Sequence, residues 1–325
     1  ATVDRVLNKR AGVRGATCER VLSAFEKLSA GGTAGAVEPA PLMMDFVLPS
    51  GAGPTFDENL RGAVEAEAAG SGATLRWHRF ERFNPAALAD QIVEIARQGS
   101  DGLAIHALEH PLVREAVDRV TLEGTPVIAF LSDLVGSRRV AYVGADNRAA
   151  GRTTGYVLGR FSPKEKGKVL VLAGSHLYRA HEEREKGFRG VCREYFPWLE
   201  VMDVVIGNDE AEDNYRKVRS MIDLHPDLVG MYNLGSGNRG VVRALKETGR
   251  DQDVVFIIHN LTSVSRTFLL DGTVDAVAHL NMDRTVQAAT DLAMRVREDK
   301  PVRSTLLPFE ILFRENGGVS EVVEI

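Results

Sequence analysis

From residue 42 onward the chain repeats one pattern, a short run rich in Val, Ile and Leu followed by an amphipathic stretch at helical spacing. "LMMDFVL" (42–48) precedes "FDENLRGAVEAEAAGSG", and "ATLRWHRF" (73–80) precedes "NPAALADQIVEIARQG"; "DGLAIHA", "TPVIAF" and "VAYVGADN" continue the series. The pattern restarts at "GKVLVLAG" (167–174) and runs through "EVMDVVIG", "LVGMYNLG", "DVVFIIHN" and "VDAVAHLN". Near-continuous apolar strands call for sheets covered on both faces, which means parallel strands joined by helices. Because the series occurs twice, it predicts an α/β protein of two doubly wound, Rossmann-like lobes with a cleft between them. In such sheets the carboxyl ends of the strands deliver side chains to the crevice, so residues that end strands line that cleft.

The 325 residues suffice for two such lobes. Net charge is −5, which argues against a chain that binds polyanions over its whole surface. The first 30 residues run the other way: Arg5, Lys9, Arg10, Arg14, Arg20 and Lys27 outnumber Asp4, Glu19 and Glu26. "GGTAGAVEPAP" (31–41) reads as a linker. Cys18 and Cys192 stand too far apart in sequence to suggest a disulfide framework or a metal site. No apolar run approaches the roughly 18 residues of a membrane span. A cytoplasmic protein with no membrane partner is the expectation.

Groups for catalysis are scarce. "LGSGNRG" holds Gly235, Gly237 and Gly240 in the spacing of a dinucleotide fingerprint. It follows a late strand, however, and no acidic residue ends the next one, so no cofactor is expected. Nucleophile-elbow, Walker and His-Glu-x-x-His motifs are missing, and the histidines end strands singly, so neither an enzyme nor a metal site is expected. What recurs is a polar residue at a strand end: His106, Ser132-Asp133, Asn233, His259-Asn260 and His279. Any one of these is more often a cap or turn residue than a ligand contact. Together, with Arg184 as a forked donor and Phe56 as a ring face, they describe a pocket for a small polyhydroxylated molecule.

The opening residues carry a family likeness. Ala1-Thr2-Val3-Asp4-Arg5-Val6-Leu7-Asn8, then Gly12-Val13, Thr17, Glu19-Arg20-Val21-Leu22, Ala24 and Leu28 resemble the recognition-helix region of LacI-type (lactose-repressor) transcriptional regulators. The effector domain of that family shares its fold with periplasmic sugar-binding proteins. The resemblance implies a partial helix-turn-helix over 1–30, a linker over 31–41 and an effector-binding domain over 42–325. It divides that domain into an N-lobe of about 42–146 plus 278–304 and a C-lobe of about 147–277 plus 305–325. Residue 1 would fall inside the second helix of the motif. Thr2, Arg5 and Asn8 would face DNA, with Val3, Val6, Leu7, Val21, Leu22, Phe25 and Leu28 forming a small core. Asp4 departs from the usual Ser, and the family's hinge-helix motif is missing from "LSAGGTAGAVEPAPLMMDF".

In the effector domain the resemblance assigns ligand contacts to Phe56, His106, Asp133, Arg184, Asn238, Asn260 and His279, to which the strand-end argument adds Asn233. Gly53 stands where Asn is frequent, Asn260 where Asp is typical and His279 where Gln is common. The implied function is a homodimeric, ligand-responsive regulator with a DNA operator and a sugar-like effector as partners. A periplasmic solute-binding protein of a transport system is the alternative, since the two share a fold.

Overall fold

The computed structural model describes residues 2–8, 15–29, 40–51 and 54–317. Two helices come first, α1 (Thr2–Leu7) and α2 (Gly15–Ser29), and they lie against each other. Residues 9–14 between them fall outside the described residues, so a helix-turn-helix is not established. The small core expected there is not what the helices show: Val6 is buried, but Val3, Leu7, Leu22 and Phe25 are exposed.

The first lobe begins with β1 (Met43–Pro49), α3 (Pro54–Ser71), β2 (Thr74–Phe80), α4 (Pro85–Arg97) and β3 (Gly102–Ile105). It continues with α5 (Pro111–Leu122), β4 (Val127–Phe130) and β5 (Ala141–Gly144). Pro begins α3, α4 and α5, where its missing N–H costs nothing, and the Asn84 side chain caps α4 by accepting from the Ala87 N–H. The second lobe holds α6 (Asn147–Phe161), β6 (Gly167–Ala173), α7 (Arg179–Tyr195), β7 (Leu199–Ile206), α8 (Ala211–Leu224), β8 (Leu228–Asn233), α9 (Asn238–Glu247), β9 (Val255–His259), α10 (Ser263–Leu270) and β10 (Ala276–Leu280). Then come α11 (Met282–Arg297), β11 (Thr305–Leu306) and β12 (Phe309–Leu312).

Each sheet has six strands, in the orders β11-β5-β4-β3-β1-β2 and β12-β10-β9-β8-β6-β7. All pairs are parallel except β10 with β12. On β1, Met44, Phe46 and Leu48 turn toward a core shared with α3 and α11, while Val47 joins the opposite core under α4 and α5. The second sheet is covered likewise, by α8 and α9 on one face and α6 and α7 on the other. This is a two-lobed α/β fold of parallel sheets.

The chain passes between lobes after β5, after β10 and between β11 and β12. Two edges of the expected lobe ranges therefore move. Residues 278–280 belong to the second sheet, because Ala278 pairs with both His259 and Ile311. Thr305 and Leu306 belong to the first, pairing with Val143 and Gly144. The first sheet's outer edge is closed by these two residues, which are too short a run to show a strand pattern.

Candidate ligand-binding cleft

Strand order reverses between β1 and β3 in the first sheet and between β6 and β8 in the second. These are the switch points at which an open α/β sheet presents its crevice. His106 follows β3 at the first, and the segment Gly174–Tyr178 follows β6 at the second. The two points meet. The second-lobe residues Leu177 and Tyr178 pack into the first lobe's α4–α5 core, and the Glu109 N–H donates to the Leu177 carbonyl at 2.7 Å. The Tyr178 ring stacks on His106 with centroids 4.6 Å apart, touches Phe83 edge-on at 5.7 Å, and lies 5.3 Å from the ring of His181.

Arg184 is held on α7 facing this point. Its Nε donates to Asn147 Oδ1 at 2.8 Å and its Nη1 to the Leu234 carbonyl at 2.9 Å. Asn147 donates in turn to the Tyr142 hydroxyl at 3.1 Å, and that hydroxyl donates to the Ala145 carbonyl at 2.9 Å. Arg184 is thus tied to the first crossing between lobes. Close approach of α6 and α7 places it there: a Cβ on Gly151 would run into the Arg184 carbonyl, and one on Gly187 into that of Arg148. Gly151, Gly155 and Gly159 form one stripe along α6.

The cleft's electrostatics follow from burial beside this guanidinium. Burial first, then the Arg184 charge, pushes His106 down to about 3 and His181 likewise to about 3. His259, whose Nε2 shares a 2.6 Å hydrogen bond with the Tyr232 hydroxyl, falls well below the ordinary range for the same two reasons. All three imidazoles are neutral at pH 7. Burial lowers Arg184 itself, raises Tyr232 to about 12 and raises Asp209. Asp209 accepts from the Ser236 N–H at 2.7 Å. His106 Nδ1, His181 Nδ1 and the Tyr178 hydroxyl are buried without a hydrogen-bond partner.

The residues expected at the site divide into two groups. His106, Arg184 and Asp133 gather around Tyr142 and Tyr178. Asp133 forms an ion pair with Arg139 and accepts from the Leu134 N–H at 2.7 Å. Asn233 serves its own turn: its side chain donates to the Ser236 carbonyl and to Asn238 Oδ1 and accepts from the Gly235 N–H. Asn238 opens α9 as that turn's acceptor. Elsewhere along the lobe junction, Asn59 on α3 donates to the Leu261 carbonyl at 3.3 Å, and the Leu261 N–H donates to His279 Nδ1 at 3.2 Å. Asn260 precedes that contact at a φ of 62°. Phe56, one turn before Asn59, is half-buried against the first-lobe core. Gly53 and the side chains of Thr2 and Arg5 lie outside the described residues; Asn8 is exposed.

The glycine-rich turn at 235–240 has a packing explanation. Gly237 sits at a φ of 76°, a Cβ on Gly235 would meet Asp209, and one on Gly240 would meet the Ala211 carbonyl of the adjoining helix. Sequence reasoning missed Tyr142, Asn147, Tyr178, His181, Asp209 and Arg82. The last joins the lobes by pairing with Glu210 across the cleft while donating to the Gly51 carbonyl. Tyr178 and His181 did carry one usable signal, since "GSHLYRAH" continues a strand end at a switch point.

A family model for the periplasmic binding protein domain matches residues 44–301. The chain belongs to the periplasmic binding protein domain family. Solved structures similar to this family member share its two-lobed fold at low identity. A solute-binding protein of an ABC transporter from Burkholderia graminis, in complex with D-arabinose, superposes with a TM-score of 0.80 at 20% identity, over 87% of this chain and 99% of that one. A glucose-galactose binding protein from Geobacillus stearothermophilus gives 0.78 at 18%, over 86% and 99%. A solute-binding protein of an ABC transporter from Agrobacterium vitis, bound with α-D-tagatopyranose, gives 0.77 at 15%, over 86% and 97%. Among curated proteins no match was found. Membership places the chain among binding proteins, and the strand ends read as a binder's rather than an enzyme's.

Proposed function

We propose that the chain is a receptor for a small sugar-class molecule held between its lobes. The observation that carries this is the meeting of both switch points at His106, Tyr178, His181 and Arg184, where three buried polar atoms await a partner. The sugars named with the solved neighbours support the class. Carriage of a solute in a transport system fits the body at least as well as regulation does, since several of the neighbours are named as ABC-transporter binding proteins. Fold likeness at this identity speaks to architecture and not to role.

A second reading, the ligand-responsive, DNA-binding homodimer of the cytoplasm, rests on one specific observation. The residues ahead of the family match at 44 carry two helices, the "ATVDRVLN" sequence and an excess of basic over acidic side chains in the first 30 residues. Thr2, Arg5 and Asn8 are its DNA-facing candidates. In either role, Phe56, Asn260 and His279 would extend the site along the junction bridged by Asn59.

A thermal-shift screen against aldoses and polyols tests the receptor reading. A ligand at 100 times its Kd stabilises by about 2.7 kcal/mol. Arg184→Ala should remove the shift, and a folded protein that responds to no member refutes the reading. Anisotropy titration of the protein with genomic DNA fragments, with and without the hit, separates the roles. Ligand-dependent DNA binding supports regulation; its absence supports solute carriage.

A further inference from the structure

The charge balance around Arg184 narrows the ligand, given the interlobe reading above on which this step rests. Its guanidinium donates to two neutral oxygens, Asn147 Oδ1 and the Leu234 carbonyl. Among the described residues no carboxylate stands within ion-pair distance of it. Asp133 is paired with Arg139, Glu109 with Arg114 and Glu210 with Arg82. Asp209 is bonded to the Ser236 N–H and lies toward Arg82. The rings next to Arg184 are uncharged and depressed by it. A half-buried cation in such surroundings carries an uncompensated desolvation cost, which an incoming anion offsets and a neutral hydroxyl offsets less well.

Geometry separates the anion's place from the hydroxyls' places. Arg184 is half-buried, and a guanidinium binds carboxylate or phosphate through parallel N–H donors. Alongside it, His106 Nδ1, His181 Nδ1 and the Tyr178 hydroxyl are buried and unpartnered on three adjoining rings. A neutral imidazole nitrogen or a phenol can donate to or accept from a hydroxyl. Tyr178, only 3% exposed, could not turn its hydroxyl to water without leaving the first-lobe core.

We propose that the ligand is an anionic sugar derivative, with a carboxylate or phosphate against Arg184 and hydroxyls against His106, His181 and Tyr178. Neutral aldoses would then be weaker ligands than their acids or phosphates.

Calorimetric titration with matched sets tests this: an aldose, its aldonate, its uronate and its terminal phosphate, for glucose, galactose and arabinose. In at least one set an anionic member should bind about tenfold or more tightly than its aldose, the aldonate and uronate arms reporting a carboxylate and the phosphate arm a phosphate. Arg184→Gln should lose most of that preference, and Arg184→Lys should retain part of it. The wild-type comparison decides the matter even where a variant fails to fold. An aldose that binds as tightly as all its anionic partners overturns the anionic assignment and leaves the sugar-receptor reading standing. Silence from every member, with the protein folded, overturns both.

Discussion

Gly151→Ala tests the link between helix packing and the cleft. The α6 backbone at Gly151 lies so close to α7 that an added methyl meets the Arg184 carbonyl, a main-chain atom that cannot rotate away. Overpacking of this kind costs about 1–3 kcal/mol. Because the atom met is main chain, the cost lies toward the upper part of that range, and after alanine recovers about 1 kcal/mol of helix propensity over glycine the net loss should be about 1–2 kcal/mol. Gly62→Ala on α3 is the matched control: it is exposed, with nothing within 4 Å of its added methyl, and should stabilise by about 0.5–1 kcal/mol. The two tryptophans make a lobe-resolved assay possible, because Trp77 packs on the first-lobe core and Trp198 on the second. In a Trp77→Phe background, fluorescence-detected melting of Gly151→Ala should fall by about 4 °C. Ligand affinity should fall too, because the helices separate where Arg184 is anchored. A melting point and affinity equal to wild type would refute the claim that this contact sets the position of Arg184.

Three further outcomes follow from the structure. Asp45, fully buried, accepts from Arg76 at 2.6 and 2.7 Å and lies 2.6 Å from His78; Asp45→Asn should cost about 3 kcal/mol in urea unfolding, and a loss under about 1 kcal/mol would mean the charge is dispensable. His106 and His181 titrate near 3 in the fold and near 6.5 unfolded, so the unfolded chain binds more protons between those values and stability rises with pH across that window, reaching full value above it. The free energy of unfolding should therefore drop from pH 7 to pH 5 by up to about 1.4 kcal/mol per histidine per pH unit, a slope that His106→Asn with His181→Asn should flatten. The Arg82–Glu210 pair is largely open at Glu210, so Arg82→Ala should weaken ligand binding by less than about fivefold, and a larger loss in calorimetry would mark Arg82 as a direct contact.

What could be read from the sequence was what depends on local period. The strand runs at 42–48, 167–174 and 253–260 became β1, β6 and β9 because parallel strands buried on both faces must be apolar throughout. Elements set by tertiary closure could not be read this way. The two residues of β11 are a strand only because Val143 and Gly144 offer an open edge. Asn233 looked like a ligand contact by its place at a strand end, yet its amide is spent on the turn to Asn238, and the two roles are identical in sequence. Tyr178 shows the opposite failure. It belongs to one lobe by chain order and to the core of the other by contact, and no periodicity within its own segment could reveal that. The glycine stripe of α6 was visible as letters but had meaning only once α7 lay against it.

The same Tyr178 shows why ligand and closure should be coupled. Seating Leu177 and Tyr178 in the first lobe buries apolar surface whether or not a ligand is present, which favours the closed arrangement. That seating also buries His106 Nδ1, His181 Nδ1 and the Tyr178 hydroxyl without partners, at about 1–3 kcal/mol for each such atom. The two contributions oppose each other, so pairing those atoms shifts lobe closure. A ligand that pairs those three atoms removes the penalty only in the closed form. It therefore acts through its difference in affinity between the two arrangements, the sole means by which a ligand can move such a balance. Because Arg184 reaches Tyr142 and the Ala145 carbonyl through Asn147, the anion's partner is bonded to the segment where the chain crosses between lobes. Tyr178→Phe, which keeps the ring and deletes the unpartnered hydroxyl, should consequently favour closure without ligand while weakening the ligand's ability to drive it. Small-angle scattering with and without ligand reads both effects as the radius of gyration, and an unchanged ligand-induced compaction in that variant would disprove the coupling.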